Sequence, residues 1–136
     1  MVVNEISYIC VEQYIMAEKA RLFGDSHSLT LIMNTANPSA HKNFGRRVKN
    51  FHEPTWEFER QNICLTGCFA KFSQNPVLRE YLLNTGDRTL AEASPFDKIW
   101  GIGLRANHRF ATQPHRWPGL NLLGYTLMST RRLLRE

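Results

Sequence analysis

EQYIMAEKA, residues 12–20, is the segment from which the fold of this chain is best approached. It lies inside a longer run from Val11 to Phe23, in which apolar residues recur at helical rather than strand spacing. Gly24 and Asp25 follow directly, and a glycine at this position commonly ends a helix. The sequence therefore predicts a helix over residues 11–23 with ionisable side chains on one side.

Glu12 and Lys19 are the two ionisable residues of this helix that point to chemistry. Residues at i and i+7 share a helix face, and these two lie about 10 Å apart along the axis at 1.5 Å per residue. Both can therefore point into one cleft. An exposed carboxylate and an exposed amine explain the same spacing, and periodicity alone does not choose between the two interpretations.

A second stretch, ASPFDKIWGIG at residues 93–103, is typical of a turn. It combines an acid, Asp97, with the indole of Trp100. An acid in such a segment is commonly a turn former. Gly101 and Gly103 would let the backbone approach a ligand closely, or they serve turn geometry alone.

The rest of the chain predicts a mainly α fold, of the α+β class, in one domain over residues 1–136. A short strand is expected within residues 1–8, and a loop or short strands over residues 90–104. Ser39 is the expected N-cap of a short helix that ends near Gly45. The further predicted helices cover residues 26–34, 54–72, 76–84 and 121–135.

Composition indicates a globular protein: 43% of residues are hydrophobic and 11% aromatic. No apolar run approaches the length of a membrane span, and the N-terminus does not resemble a signal peptide. The three cysteines are an odd number, which suits a reducing compartment better than a disulfide framework. We therefore expect a cytoplasmic protein.

Positive charge is concentrated in the C-terminal part of the chain. The net charge is +5, and residues 98–136 hold seven basic side chains against Glu136 alone. This distribution could favour a phosphorylated or nucleic-acid ligand. A solvated helix face with arginines near a helix C-terminus explains it equally well.

No metal and no cofactor are expected from the sequence. Cys64 and Cys68 would share a helix face, but no histidine or cysteine follows at a spacing that completes a zinc site. Buried helical thiols are the better interpretation. The chain has no phosphate-binding P-loop, and Gly101 with Gly103 is too short a pattern for a dinucleotide fold.

A series of short motifs, in one consistent order, resembles the YbiA-like or NADAR family of N-glycosidases. The two stretches quoted above belong to it. The others are Phe23-Gly24-Asp25, Lys42 with Gly45-Arg46, Trp56 with Arg60, residues 71–76, residues 82–86, and Asn121 to Gly124 followed by Leu127, Met128 and Arg131. The resemblance covers nearly the whole chain, from Tyr8 to Leu134.

The resemblance implies a compact helical body with a few short strands beside an active cleft. It also implies hydrolysis of the bond between ribose C1′ and a nitrogen. The implied substrates are phosphorylated riboflavin-pathway intermediates, or ADP-ribose attached to guanine in nucleic acid. The implied catalytic residues are Glu12, Lys19 and Asp97. The residues implied to bind substrate are Arg46, Trp56, Arg60, Trp100, Gly101, Gly103 and Asn121.

Two mechanisms are consistent with these residues: attack of Lys19 on C1′ to form an imine, or direct attack of water with Glu12 as the base. Family members carry a further aromatic-rich segment before the start of this chain. Without it we expect apolar surface to be exposed near Tyr8, Ile9 and Tyr14.

Two other functions fit the same sequence. One is a catalytically idle module that binds ADP-ribose or related ligands. The other is a nucleic-acid-binding protein, which would use Arg105, Arg109, Arg116, Arg131, Arg132 and Arg135.

Overall fold

The computed structural model describes all of residues 1–136. It contains a two-stranded antiparallel sheet, six α-helices and one short 3₁₀ helix. The chain divides into two compact units, Met1–Arg79 and Glu80–Glu136. The mainly α fold with a little β structure is confirmed, and the single domain over residues 1–136 stays a prediction.

The first unit opens with a hairpin instead of the one strand expected. Strand β1 (Val2–Val3) pairs with β2 (Ile6–Ser7). Asn4 and Glu5 between them have φ angles of 49° and 67°, the left-handed values that a two-residue hairpin turn requires. The side-chain amide of Gln74 extends the sheet, because it accepts from Val2 N at 2.8 Å and donates to Val2 O at 2.7 Å.

Four helices follow in the first unit: α1 (Val11–Leu22), α2 (Ser26–Met33), α3 (Pro38–Arg46) and α4 (Glu53–Ser73). All four were predicted within a residue or two. The N-cap of α3 is not the predicted Ser39. Asn37 holds that position and its side chain accepts from Ser39 N, because Pro38 fits the first helical position and moves the start upstream of Ser39.

Helix α1 is the centre of the first unit and packs against α2, α3 and α4. Ala17 and Ala20 on it are fully buried. Glycines on the neighbouring helices permit this close approach. A Cβ on Gly67 of α4 would meet Tyr14 Cδ2 at 2.9 Å, and one on Gly45 of α3 would overlap the side chain of Met16.

The expected apolar exposure near the N-terminus is found for one residue of three. Ile9 is 58% exposed, but Tyr8 and Tyr14 are buried and their rings meet edge to face at 5.1 Å. Burial, with Glu18 second, raises the pKa of Tyr14 to about 12, so its hydroxyl stays protonated at neutral pH.

The second unit consists of a long ordered loop and a terminal helix. Helix α5 (Pro76–Leu83) spans the boundary at Arg79. The loop beyond it contains only the 3₁₀ helix Pro114–Arg116, so residues 90–104 form turns without strands. Helix α6 (Leu122–Arg135) follows this loop. Among all the helices, none combines the length and the apolar character that a membrane span requires.

Candidate active site

Lys19 of α1 lies against two aromatic rings of the first unit. Its Nζ is 4.8 Å from the ring centroid of Phe51 and 5.3 Å from that of Trp56. A cation over an aromatic face is attracted by the ring quadrupole. The amine therefore occupies a defined position instead of moving freely in solvent.

The surroundings of Lys19 lower the pKa of its amine. Burial is the main cause, the positive charge of Arg46 is the second, and the Glu12 carboxylate acts in the opposite direction. The net effect of these three influences is a lowered pKa of the Lys19 amine. A lowered pKa increases the fraction of neutral amine near neutral pH, and the neutral form is the one that can act as a nucleophile.

The Phe51 ring is a component of this group that no sequence motif indicated. It lies in the connection between α3 and α4, directly after Asn50, whose φ is 61°. The ring packs at 5.3 Å against Phe23, the C-cap of α1. In the sequence, Phe51 is visible only as an aromatic residue just before His52, the N-cap of α4. Without knowledge of its distant partner Lys19, it resembles an ordinary loop residue.

One carboxylate anchors the connection that carries Phe51. Asp25 caps α2 through Ser28 N at 3.0 Å and also accepts from Lys49 N at 2.9 Å. The backbone hydrogen bond from Lys49, followed by those from Ser28, lowers the pKa of Asp25 to about 2. This charged cap therefore ties Lys49, two residues before Phe51, to the start of α2.

The first unit thus brings four of the predicted residues into one electrostatic group. Trp56, Arg46 and Glu12 each act on the amine of Lys19 there. Trp56 is only 8% exposed, so most of its surface packs within the protein. Arg60 lies one turn further along α4 and is partly exposed.

The remaining predicted residues belong to the second unit. Asp97 is partly exposed, and its Oδ1 accepts from Ile99 N at 3.0 Å and from Trp100 N at 2.9 Å. This is the turn-forming role of an aspartate. The same two bonds fix the direction of the carboxyl group beside the partly buried Trp100. A catalytic role of Asp97 stays a prediction.

Turn geometry accounts for both glycines of this segment. A Cβ on Gly101 would lie 2.8 Å from Asp97 O and 2.9 Å from Glu92 O. Gly103 has a φ of +77°, a conformation that L side chains rarely adopt. Their contact with substrate stays a prediction.

Asn121 has a clear structural role. Its side chain is fully buried, its Oδ1 accepts from Glu92 N at 2.9 Å, and its Nδ2 donates to Leu90 O at 2.9 Å. The amide thus joins the loop around Leu90 to the start of α6. The predicted substrate contact of Asn121 stays a prediction, and both ends of its amide already bind backbone.

No three histidine, cysteine or acidic side chains are placed together so as to hold a metal ion. Cys64 and Cys68 are buried, with their sulfur atoms 3.8 Å apart. Two thiols without further ligands do not make a zinc site.

A comparison with protein families matches the NADAR domain over residues 1–135. Two curated proteins are also similar. N-glycosidase R617 of Acanthamoeba polyphaga mimivirus is 48% identical over 124 residues, which is 91% of this chain and 73% of that protein. N-glycosidase Npun_R5314 of Nostoc punctiforme is 33% identical over 134 residues, which is 98% of this chain and 79% of that protein.

A solved structure has the same fold. The NMR structure of the E. coli protein YbiA matches with a TM-score of 0.79 and 28% sequence identity. The match covers 98% of this chain and 71% of that protein. The helices described above therefore follow the fold found in YbiA.

Proposed function

Because the chain belongs to the NADAR domain family, we propose that it is an N-glycosidase, a hydrolase that acts on N-glycosyl bonds. Relatives that cover most of the chain carry that name. The observation that carries the proposal is the amine of Lys19, held between two aromatic rings with a lowered pKa. Perturbed ionisable groups of this kind concentrate at functional sites.

The proposed reaction uses Lys19 as the nucleophile. Its neutral amine attacks ribose C1′, and the new N–C1′ bond forms as the bond to the base breaks. The carboxylic acid of Glu12 gives a proton to the departing base nitrogen. The lysine nitrogen then passes a proton to O4′ as the C1′–O4′ bond breaks, so the ribose ring opens and a protonated imine remains. Water adds at C1′ and releases both the sugar and Lys19.

The residues around Lys19 suit a phosphorylated, nucleoside-like substrate. Arg46 supplies a positive charge close to Lys19, and Arg60 a second one on α4. Guanidinium groups bind phosphate well. The exposed part of Phe51 offers aromatic surface for a base. Ribosylamino-pyrimidine phosphates and ADP-ribosyl-guanine both combine a phosphate with a ribose C1′–N bond.

The direct test is release of free base. We would incubate the protein with a ribosylamino-pyrimidine phosphate and, separately, with ADP-ribosylated guanine DNA, and follow the base by chromatography. We expect release from at least one substrate, and a decrease of about 10²-fold or more in Lys19→Met. The matched control is Lys49→Met, an exposed lysine in the same unit, which should keep full activity.

Three results would contradict all or part of the proposal. Absence of base release from both substrates by folded protein would exclude these reactions. A rise in melting temperature with ADP-ribose but no turnover would instead support the idle binding module. Full activity of Lys19→Met would remove the amine from the chemistry and leave the water mechanism.

A second candidate function, nucleic-acid binding, is favoured by one feature of the second unit. The guanidinium groups of Arg109 and Arg116 both lie 4.6 Å from the ring centroid of Phe110. Both arginines are exposed, and an aromatic ring holding cations is a common element of surfaces that bind single strands.

The C-terminal arginines contribute less to such a surface than the sequence suggested. Arg131 is buried and donates to the hydroxyl of Thr85 at 2.8 Å. Arg135 donates to Asp87 Oδ1 at 3.0 Å and to Gly86 O at 2.6 Å. These side chains fasten α6 to the loop after α5.

Binding of a single-stranded oligonucleotide, followed by fluorescence anisotropy over a range of salt concentrations, tests this candidate. If Arg109 and Arg116 contact phosphates, Arg109→Ala and Arg116→Ala should each weaken binding and reduce the salt slope by about one. Arg47→Ala, at an exposed arginine of the first unit, is the control. An affinity that does not change with salt concentration would exclude a surface that binds the phosphates of the oligonucleotide.

A further inference from the structure

Cys10 and His41 form a pair that the proposed glycosidase chemistry does not use. The Cys10 sulfur lies 3.9 Å from His41 Nδ1. His41, on α3, is fully buried, whereas Cys10 is only partly buried. A nucleophile beside a base that is itself held in place is the arrangement of an activated thiol.

The hydrogen bonding of His41 determines which ring nitrogen faces the thiol as an acceptor. On its other side, Nε2 makes a hydrogen bond with the carbonyl oxygen of Thr35. A carbonyl oxygen only accepts, so Nε2 carries the hydrogen in the neutral ring. Nδ1 then presents its lone pair toward Cys10 and can take the proton of the thiol.

The start of α1 also donates a hydrogen bond to the same sulfur. Cys10 is the N-cap of this 12-residue helix, and its sulfur accepts from Gln13 N at 3.4 Å. The positive end of the helix dipole acts at this position. Gln13 fixes the segment further, since its side chain accepts from Ile9 N at 2.8 Å and donates to Ile32 O at 3.1 Å.

Cys10 also opens onto a cavity of the first unit, which has a volume of about 390 Å³. Val2, Ile9 and Leu78 supply apolar wall, and Lys71 supplies a positive charge. A small organic molecule with an apolar body and a polar carbonyl end fits this lining. The other two cysteines do not line the cavity and are at most 2% exposed.

We propose that Cys10 is a nucleophilic modification site for soft electrophiles of the α,β-unsaturated carbonyl class. His41 Nδ1 takes the thiol proton, and the sulfur forms a bond to the β-carbon. The electron pair of the C=C bond moves to the α-carbon, which then takes the proton from the imidazolium. Every atom is kept, and no oxidant or leaving group is required.

N-ethylmaleimide, an activated alkene, is the probe for the first measurement. Native protein is sampled over time, and mass spectrometry gives the labelling rate at each cysteine, with glutathione under the same conditions as the reference thiol. A general base is usually worth about 10²–10⁴, so even a half-buried Cys10 should react at least about tenfold faster than glutathione. Cys64 and Cys68 are internal controls that should stay unlabelled. A Cys10 rate at or below that of glutathione would overturn the proposal.

The second measurement assigns the effect to the imidazole. His41→Gln keeps a donor for the Thr35 carbonyl but removes the base, so the Cys10 rate should fall at least about tenfold. His27→Gln, at an exposed histidine on α2, is the matched control and should react like the parent protein. An unchanged rate in folded His41→Gln would refute the role of His41. If that variant does not fold, the comparison with glutathione decides alone.

Discussion

At the scale of single residues, Lys19 is the most informative side chain of the first unit. Its charge is disfavoured by burial and by Arg46, while Glu12 and two aromatic rings favour it. The net result is a lowered pKa of the Lys19 amine. A lysine on a solvated helix face would not be subject to the burial that causes this shift. The burial of Lys19, which follows from the packing of α1, therefore favours the neutral amine that the proposed reaction requires.

Trapping with borohydride tests the covalent role of Lys19. If an imine forms with C1′, borohydride added during turnover should reduce it to a stable adduct on the peptide that contains Lys19. Mass spectrometry identifies that peptide, and Lys19→Arg should be inactive because arginine does not supply a neutral amine. Turnover without an adduct, or an active Lys19→Arg protein, would favour direct attack by water.

Asp25 should make stability depend on pH in the acidic range. The folded-state pKa of about 2 lies below the ordinary aspartate value of 3.8, so the charged carboxylate stabilises the fold at neutral pH. That contribution should be complete above about pH 5 and should disappear as the pH falls from 3.8 toward 2.

Melting temperatures of the parent protein and of Asp25→Asn, measured between neutral pH and about pH 2, check this expectation. The variant should melt lower at neutral pH, and the two curves should converge in acid. Asp87→Asn, at a carboxylate that is 95% exposed, is a control in which little change is expected. If the difference in melting temperature between the two proteins stays the same down to about pH 2, the charge of Asp25 is not its cause.

At the scale of elements, the first unit depends on how closely α4 approaches α1. Gly67 lies where a methyl group would be 2.9 Å from Tyr14 Cδ2 and 3.2 Å from Val11 Cγ1. Both contacts are tighter than ordinary packing distance, and a ring within a helix-helix contact has little room to move. The motif that contains Tyr14 therefore has a packing partner far away in the sequence.

Gly67→Ala should destabilise the protein by about 1–3 kcal/mol, the usual cost of overpacking a core. Alanine favours a helix by itself, so a loss of stability would come from the tertiary contact. Urea unfolding gives the change, with Gln61→Ala at an exposed site of the same helix as the control. A Gly67→Ala protein at least as stable as the parent would show that the helices adjust at no cost.

At the scale of the whole molecule, the proposed reaction needs no metal ion. No suitable set of three ligands is present, and the proposed acid, amine and water steps are complete without one. The two buried thiols of α4 are explained by packing.

EDTA should therefore leave both the melting temperature and the release of free base unchanged. The comparison is made on purified protein before and after chelation, with its metal content measured. Stoichiometric zinc that is lost together with folding on chelation would overturn this expectation.

The helices of this protein were already specified by local features of the amino-acid sequence. Helical spacing of apolar residues, a capping side chain and a terminating glycine are local signals, and they placed α1, α2, α4, α5 and α6 within a residue or two. The motif order also predicted the family, because several weak patterns in one fixed order are specific together. Local signals failed at the N-terminus, where a left-handed turn at Asn4 and Glu5 produced a hairpin.

The environments of the chemical groups, by contrast, were established only by tertiary packing. Lys19 and Phe51, and likewise Cys10 and His41, are far apart in sequence, and no periodicity relates them. The lowered pKa of Lys19 depends on burial and on competing charges, which are properties of the packed chain. Spacing along a chain specifies which residues share a face, whereas solvent exclusion and through-space partners exist only after folding.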